Sequence, residues 1–390
     1  MDLNSRVERY KTIEAARSRP LIVYATSTRP GVKAMMAGDA VREFIDQIDA
    51  IHDSNCVDVL IHSTGGDALA AWKLMSVLRE RFEHVSVLVP YMAFSAATIF
   101  AMGADEIVMH PHASLGPIDP QISIPLPEGN QRHFSYEDVG AFLRFLEKDV
   151  EISEQVHIAA IIDRLFSAVD PLNVGAAKRA SELSSSVGER LLLLHMKSVE
   201  ERSRAKQIAD DLNKSFFAHG DAVSRTRAKE LNLKIAPEDK ELEGLIWSAY
   251  LGLEGYMELR KPFNPFDYLL SDPAIAAILK PCAPLVLPAN APPPLIDQIW
   301  KNVAQQAIQN LAGAGAEVEY SVVNAVVESP RAASEVRTKG RLSACRLTGG
   351  NIQVSGTDTE ACWRKVEILA DAASISPVVS SIGQQTGGAK

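Results

Sequence analysis

The sequence has few of the features that mark secreted, membrane-spanning or nucleic-acid-binding proteins. Its 390 residues include only four cysteines, which lie far apart and form no C-x-x-C pair, so neither a disulfide scaffold nor a zinc knuckle is expected. Lys and Arg number 40 against 49 Asp and Glu, and the net charge of −9 lacks the basic excess that nucleic acid or an anionic membrane attracts. No apolar run reaches the roughly 18–20 residues that span a bilayer.

The N-terminal segment also lacks the apolar core of an export signal. Three acidic residues, Asp2, Glu8 and Glu14, stand among its basic ones. The four thiols are therefore expected to be reduced, and the protein is expected to be cytoplasmic. No metal, cofactor, nucleic-acid partner or membrane span is predicted.

The composition is that of an ordinary globular protein, with 46% apolar and 23% charged residues. The length suggests two or three structural units. Residues 1–261 are predicted to form the main domain, and the proline-rich stretch 262–294 an extended connector without regular helix. Residues 295–375 are predicted to form a small α+β appendage, followed by a loose tail at 376–390.

Strand-like and helix-like segments alternate through the first third of the chain. Hydrophobic periodicity predicts strands at 21–25, 57–61, 85–89 and 107–109, and helices at 38–52, 67–82 and 95–103. Alternation at this pitch indicates an α/β fold with right-handed crossovers and a mainly parallel sheet. In such sheets functional residues gather after the carboxyl ends of strands. Two loops are therefore of interest, the one after Ile61 and the one after Val89.

Beyond residue 124 the pattern becomes helical. Ser135 and Asp138 form a capping box before a helix that is predicted to reach about 149. Asp170 and Pro171 begin a long helix predicted through about 197. Further elements are predicted as helices near 228–231, 240–257 and 295–311 and strands at 318–327, 342–347 and 352–354.

The first loop of interest carries two adjacent glycines between a strand and a helix. Gly65 and Gly66 follow Ser63-Thr64 and precede Asp67. Glycines permit backbone angles that let main-chain N–H groups converge on an incoming oxygen, and the next helix N-terminus adds positive potential. Such a loop can hold an oxyanion, a phosphate or a thioester carbonyl, although a Gly-Gly pair is more often only a tight turn.

The second loop places a serine at the start of a predicted buried helix. Ser95 is flanked by small residues, Ala93, Ala96 and Ala97, which would let a substrate backbone approach its hydroxyl. The Ala96 amide could join Gly65 or Gly66 in an oxyanion hole. A small residue chosen for close helix packing is the plainer interpretation of the serine alone. Two such loops at one edge of a parallel sheet favour the functional interpretation.

Residues 58–121 carry motifs that resemble the ClpP/crotonase superfamily and its signal-peptide-peptidase (SppA-like) branch. Within it, the sequence is most similar to the serine dehydrogenase (SDH) proteinase family. The resemblance covers about residues 21–257, and its motifs are 59–67, Ser95–Thr98, Ala104–Met109, Leu115–Gln121 and Ala218–Ile235. It implies a ClpP/crotonase-like fold of repeated ββα and βαβ units with helical additions, and a homo-oligomeric serine peptidase acting on polypeptides.

By this resemblance Ser95 would be the nucleophile, with Gly65, Gly66 and Ala96 supplying oxyanion-hole amides. Where Clp peptidases have a catalytic histidine, residues 115–119 have none, and this departure favours the Ser-Lys dyad of the SppA-like branch. In that dyad a buried lysine is kept neutral by desolvation. In SppA-like chains the lysine follows the serine at a distance and precedes the last helices, and Lys178 fits this order best.

Lys148 is the alternative base, although Glu147 and Asp149 flank it and would hold it charged. For either lysine, a solvated helix face is the competing interpretation. Four further residues could shape the site: Asp119, Arg179, His219 and Asp221. Of these, Arg179 cannot serve as a base.

Two other functions stay open at this stage. A crotonase-like acyl-CoA enzyme would polarise a thioester with the same two amides, but apart from Asp67 no carboxylate stands beside the glycine loop, and no basic loop suited to adenine is evident. A non-catalytic scaffold could retain the fold without its base.

Overall fold

The chain is described by a computed structural model. The residues described are 2–125, 131–214, 221–273, 276, 292–311, 315–346 and 352–368. They form a mixed α/β structure around a seven-stranded sheet. The predicted α/β class is confirmed.

The parallel half of this sheet matches the alternation seen in the sequence. Strands β1 (Leu21–Thr26), β2 (Cys56–His62), β3 (His84–Val89) and β5 (Glu106–Met109) pair in parallel, in that order. The helices between them are α2 (Ala40–Asp49), α3 (Ala68–Arg81) and α4 (Ala96–Met102). Nearly all residues of the four strands are buried, because helices cover both faces of the sheet.

A second, smaller sheet lies beyond the carboxyl ends of these strands. It consists of β4 (Met92–Ala93), β6 (Ser114–Leu115) and β9 (Val223–Ser224). Ser63, just after β2, joins Ala93 of β4 by a single parallel bridge. This bridge places the loop after β2 next to the loop after β3. A hairpin of β7 (Ile122–Pro125) and β8 (Gln131–Phe134) follows.

The remaining helices are α1 (Leu3–Arg17), α5 (Tyr136–Lys148), α6 (Gln155–Ala168), α7 (Pro171–Leu192), α8 (Val199–Lys214), α9 (Arg225–Glu230) and α10 (Lys240–Tyr256). Both predicted caps are present: Ser135 and Asp138 bond reciprocally, and the Asp170 side chain accepts from the Leu172 N–H. The long helix predicted to about 197 instead ends at Leu192, and α8 begins at Val199. No helix among the described ranges is long and apolar enough to cross a membrane.

The strands predicted for a separate appendage belong to the main sheet. β10 (Gly315–Glu328), β11 (Ala333–Arg346) and β12 (Ile352–Val366) form an antiparallel meander, and β10 pairs with β1 over Val23–Thr26. Local patterning predicted most of β10 but only the adjoining ends of β11 and β12, and it carries no information on pairing between residues about 300 positions apart. The tail predicted at 376–390 lies outside the described residues.

The prediction that the proline-rich stretch contains no helix is wrong. Helix α11 (Pro265–Ser271) lies within it. Pro265 stands in the first turn, where its missing N–H costs nothing, and the Asn264 side chain accepts from the Phe266 N–H. Most of 274–291 lies outside the described residues, and α12 (Pro293–Leu311) follows.

Each face of the sheet has its own apolar core. One face packs against α2, α3, α4 and part of α7, and its core includes Phe44, Leu74 and Phe100. The other face packs against α1 and α10, with Tyr10 and Leu253 in its core. The helix that carries the predicted nucleophile therefore lies on the first face only.

Candidate active site

Ser95 occupies a sharp turn between β4 and α4. Its backbone has φ 51° and ψ −118°, a region that non-glycine residues seldom adopt, and it stands at the N-cap of α4 without a side-chain capping bond. All seven residues of α4 are buried, whereas Ser95 is half-buried. The packing of α4 thus holds this turn in place. The Ser95 hydroxyl makes no capping hydrogen bond to α4.

The Gly65–Gly66 loop lies directly against this turn. A Cβ placed on Gly65 would be 2.5 Å from the Phe94 carbonyl oxygen, 2.7 Å from the Ser95 Cβ and 3.0 Å from the Ala96 nitrogen. Gly65 has φ 104°, so its absent side chain is required both by the backbone and by the space. The structure therefore brings Ser95, Gly65 and Ala96 together, as the sequence predicted.

The amides of this loop differ in their availability. The Gly65 N–H donates to the Ser63 Oγ at 3.0 Å, and the Gly65 carbonyl accepts from the Met36 N–H at 2.7 Å. Within the described part of the chain, neither the Gly66 N–H nor the Ala96 N–H has an acceptor. Of the three predicted amides, Gly66 and Ala96 are thus the two free to bind an oxyanion.

Neighbouring polar groups hold the turn in place. The Thr98 Oγ1 donates to the Ala93 carbonyl at 2.7 Å and accepts from the Gly116 N–H at 3.0 Å. These bonds fasten α4 to the strand before it and to the segment after β6. Asp67, the carboxylate that a crotonase-like reaction would need beside the loop, accepts instead from the Leu69 N–H and caps α3.

The two candidate lysines are exposed. The Lys178 side chain on α7 is 54% exposed, its Nζ lies 3.7 Å from the Glu182 Oε1, and it lies 5.8 Å from the centre of the Tyr136 ring. Lys148, the last residue of α5, is exposed as well. The expectation of a buried lysine is wrong for this single chain: the neighbouring Ala177 is fully buried, but Lys178 itself lies on the outer side of α7.

The four residues named as site-shaping have different surroundings. Asp119 is half-buried and accepts from the Gln121 Nε2 at 3.2 Å. Arg179 and Asp221 are exposed, and His219 lies outside the described residues. None of these contacts tests a role in the site.

His62, which the sequence analysis did not single out, is the most perturbed group near the loop. It ends β2, is fully buried, and its Nε2 lies 3.1 Å from the Thr28 Oγ1, while its Nδ1 has no hydrogen-bond partner in the described part of the chain. Burial lowers the pKa of His62 to about 3. Its ring packs against Tyr250 and Tyr91 on the α10 side of the sheet, away from α4. In the sequence, its place at the end of an apolar strand could have indicated that His62 is buried.

The lowered pKa of His62 predicts an acid-sensitive fold. The unfolded chain takes up a proton at His62 near pH 6.5 but the native chain only near pH 3, so the free energy of unfolding falls as the pH drops through this window. We expect His62 to contribute a loss of about 2 kcal/mol between pH 6.5 and 5. Urea unfolding of wild type and His62→Gln at both pH values measures it. An equal pH dependence in the two proteins would contradict the assignment.

Two other histidines near the predicted loops lie on the same side as His62. The His110 ring stacks on Trp247 of α10 with ring centres 4.9 Å apart, and its Nδ1 accepts from the His112 N–H at 3.1 Å. Both residues thus close the end of β5 and pack against α10, whereas Ser95 lies beside α4.

Comparison with known proteins agrees with the motifs in the sequence. Two curated relatives are uncharacterised proteins of Methanocaldococcus jannaschii. One is 27% identical over 179 residues, which make up 46% of this chain and 51% of the relative. The other is 38% identical over 80 residues, or 20% of this chain and 28% of the relative. The chain thus spans about half or less of the length of these relatives.

Two solved structures are similar to this chain at low identity. A variant of the 1510-N membrane-bound stomatin-specific protease is 15% identical, covering 57% of this chain and 83% of that one, with a TM-score of 0.34. ClpP1 from Listeria monocytogenes is 14% identical, covering 60% and 97%, with a TM-score of 0.30. The family match is more specific: residues 31–129, which include the glycine loop and Ser95, match the family of ClpP-like SDH-type serine proteinases.

Proposed function

We propose that this chain is a serine peptidase in which Ser95 is the nucleophile. The observation that carries the proposal is the contact between two turns: Ser95, at positive φ, adjoins Gly65, and the neighbouring amides of Gly66 and Ala96 lack acceptors in the described structure. The family match over this segment supports the same class of reaction. A polypeptide is the proposed substrate.

The reaction follows from the groups at the turn. The Ser95 Oγ would attack the scissile carbonyl carbon while its proton passes to a base, and the tetrahedral oxyanion would accept hydrogen bonds from Gly66 and Ala96. Collapse would break the C–N bond, and the base would return the proton to the leaving amine. Water would then hydrolyse the acyl-enzyme by the same route. These reaction steps need no metal or cofactor.

We propose Lys178 as the base, with Lys148 as the alternative. A lysine accepts a proton only in its neutral form, which desolvation favours. The exposure of Lys178 and its ion pair with Glu182 favour the charged form in the single chain. The proposal therefore requires that bound peptide or a second copy of the chain cover Lys178. Such a dyad belongs to the SppA-like branch.

Labelling with a fluorophosphonate probe tests nucleophile and base together. We expect wild type to be labelled at Ser95 and Ser95→Ala not to be labelled. Lys178→Met should slow labelling at least tenfold, whereas Lys148→Met should leave it unchanged. The reverse ranking of the two lysine variants would assign the base to Lys148. Absence of labelling in wild type would instead favour a non-catalytic scaffold.

We further propose that the protein acts as a cytoplasmic homo-oligomer. Helix α6 has no buried residue in the single chain although its sequence is largely apolar. Val156 and Phe166 of α6 are 73% and 41% exposed, and Leu172 at the start of α7 is 80% exposed. Exposed apolar surface of this kind favours association. Sedimentation velocity of wild type and Val156→Glu/Phe166→Glu should show a larger species for wild type only. A monomeric wild type would contradict the proposal.

A further inference from the structure

Two buried hydroxyl groups lie beneath the glycine loop. Thr26, the last residue of β1, and Ser63, just after β2, are both fully buried, and the Thr26 Oγ1 donates to the Ser63 Oγ at 2.7 Å. The backbone of Ser63 is held as well, since its N–H donates to the Met92 carbonyl at 3.1 Å and its carbonyl accepts from the Phe94 N–H at 3.0 Å. The Ser63 side chain is thus fixed relative to the turn that carries Ser95.

The Ser63 Oγ also determines the orientation of the loop. It accepts from the Gly65 N–H at 3.0 Å, which fixes the peptide plane before Gly65. The Met36 N–H donates to the Gly65 carbonyl at 2.7 Å and fixes the peptide plane after it. This second peptide is trans, so the Gly66 N–H points opposite to the Gly65 carbonyl and therefore away from Met36.

Without these anchors the two glycines could take many conformations, because glycine has the widest range of backbone angles. An oxyanion hole stabilises the transition state only when its donors are held in place before the reaction. The Ser63 hydroxyl supplies that constraint from within the core, and Thr26 holds the hydroxyl in position.

We infer that Ser63 and Thr26 are positioning residues that direct the Gly66 amide toward the oxyanion. The inference rests on the proposed function, which assigns the oxyanion to the Gly66 and Ala96 amides. Neither hydroxyl touches substrate. Their loss should affect the transition state, where charge develops on the oxygen, more than the binding of the uncharged ground state.

Steady-state kinetics with fluorescein-labelled casein test the inference. Ser63→Ala should lower kcat roughly 10- to 100-fold while KM stays within about threefold, because the peptide before Gly65 loses its anchor and the loop that presents the Gly66 N–H becomes less rigid. Thr26→Val, which keeps the shape but removes the donor, should lower kcat by a smaller factor, roughly 3- to 10-fold. Ser63→Thr keeps the oxygen and should restore most of the lost kcat.

A matched control separates positioning from general destabilisation. Ser181 on α7 is also buried, and its Oγ donates to the Asn213 Oδ1 at 2.7 Å, remote in the chain from the loop. Ser181→Ala should leave kcat unchanged. If Ser63→Ala does not fold, Thr26→Val decides the test. An unchanged kcat in Ser63→Ala or Thr26→Val, beside an active wild type, would overturn the inference alone. Lack of hydrolysis by wild type would overturn the proposed function itself.

Discussion

Replacement of Ser95 by alanine is expected to reduce casein hydrolysis by roughly four orders of magnitude, because no other group at the turn can form the acyl-enzyme. The melting temperature should stay near that of wild type. Alanine tolerates the positive φ of position 95 about as well as serine does, and the hydroxyl caps no helix. The measurement is the initial rate of hydrolysis beside a thermal melt for each protein.

Ser167→Ala provides a matched control for this variant. Ser167 is exposed on α6, and its hydroxyl donates to the Asp163 carbonyl of its own helix. Its loss should leave the rate of hydrolysis unchanged. If Ser95→Ala cleaves casein as fast as wild type, Ser95 is not the nucleophile and the proposed reaction is wrong.

Arg6→Met is expected to lower the free energy of unfolding by about 3–5 kcal/mol, the largest effect on stability that we predict. Arg6 on α1 and Glu328 at the end of β10 are 1% and 2% exposed. The Arg6 Nε donates to the Glu328 Oε2 at 3.0 Å, and the Tyr10 hydroxyl donates to the same oxygen at 2.7 Å. Removal of Arg6 would leave a buried carboxylate without its cation.

The double variant Arg6→Met/Glu328→Leu shows whether the lost charge balance is the cause. Because it removes both charges together, it should be more stable than Arg6→Met, and close to wild type. Lys11→Met, which breaks an exposed ion pair with Glu8 on the same helix, should change the free energy by less than about 1 kcal/mol. Urea unfolding at pH 7, followed by tryptophan fluorescence, measures all three. A double variant as unstable as the single one would contradict this explanation.

This ion pair also joins the N-terminal helix α1 to strand β10. It links residues 322 positions apart, and with the pairing of β10 on β1 it makes the C-terminal strands part of the main sheet. The sequence analysis missed both features. Strand periodicity is local, whereas the identity of a neighbouring strand depends on contacts between distant residues.

The candidate nucleophile and the glycine loop were predictable because each depends on short-range patterns. A buried strand followed by two glycines, and a serine before an alanine-rich helix, specify their own turns. In a parallel sheet their carboxyl-end positions bring them to the same edge. The structure adds that the Gly65 N–H already donates to the Ser63 Oγ, whereas the Gly66 and Ala96 N–H groups have no acceptor among the described residues. A hydroxyl two residues earlier gave no sign of this in the sequence.

The base could not be predicted in the same way, because a lysine becomes a base through burial rather than through its neighbours in sequence. Alternation of strands and helices, the caps of α5 and α7 and the two loops of the site were determined by the amino-acid sequence itself, through contacts within a few residues. Tertiary structure alone decided the pairing of β10 with β1, the exposure of Lys178, the burial of His62 and the anchoring of Gly65 by Ser63. These four depend on what packs around a residue in space, and hydrophobic periodicity along the chain does not encode that information.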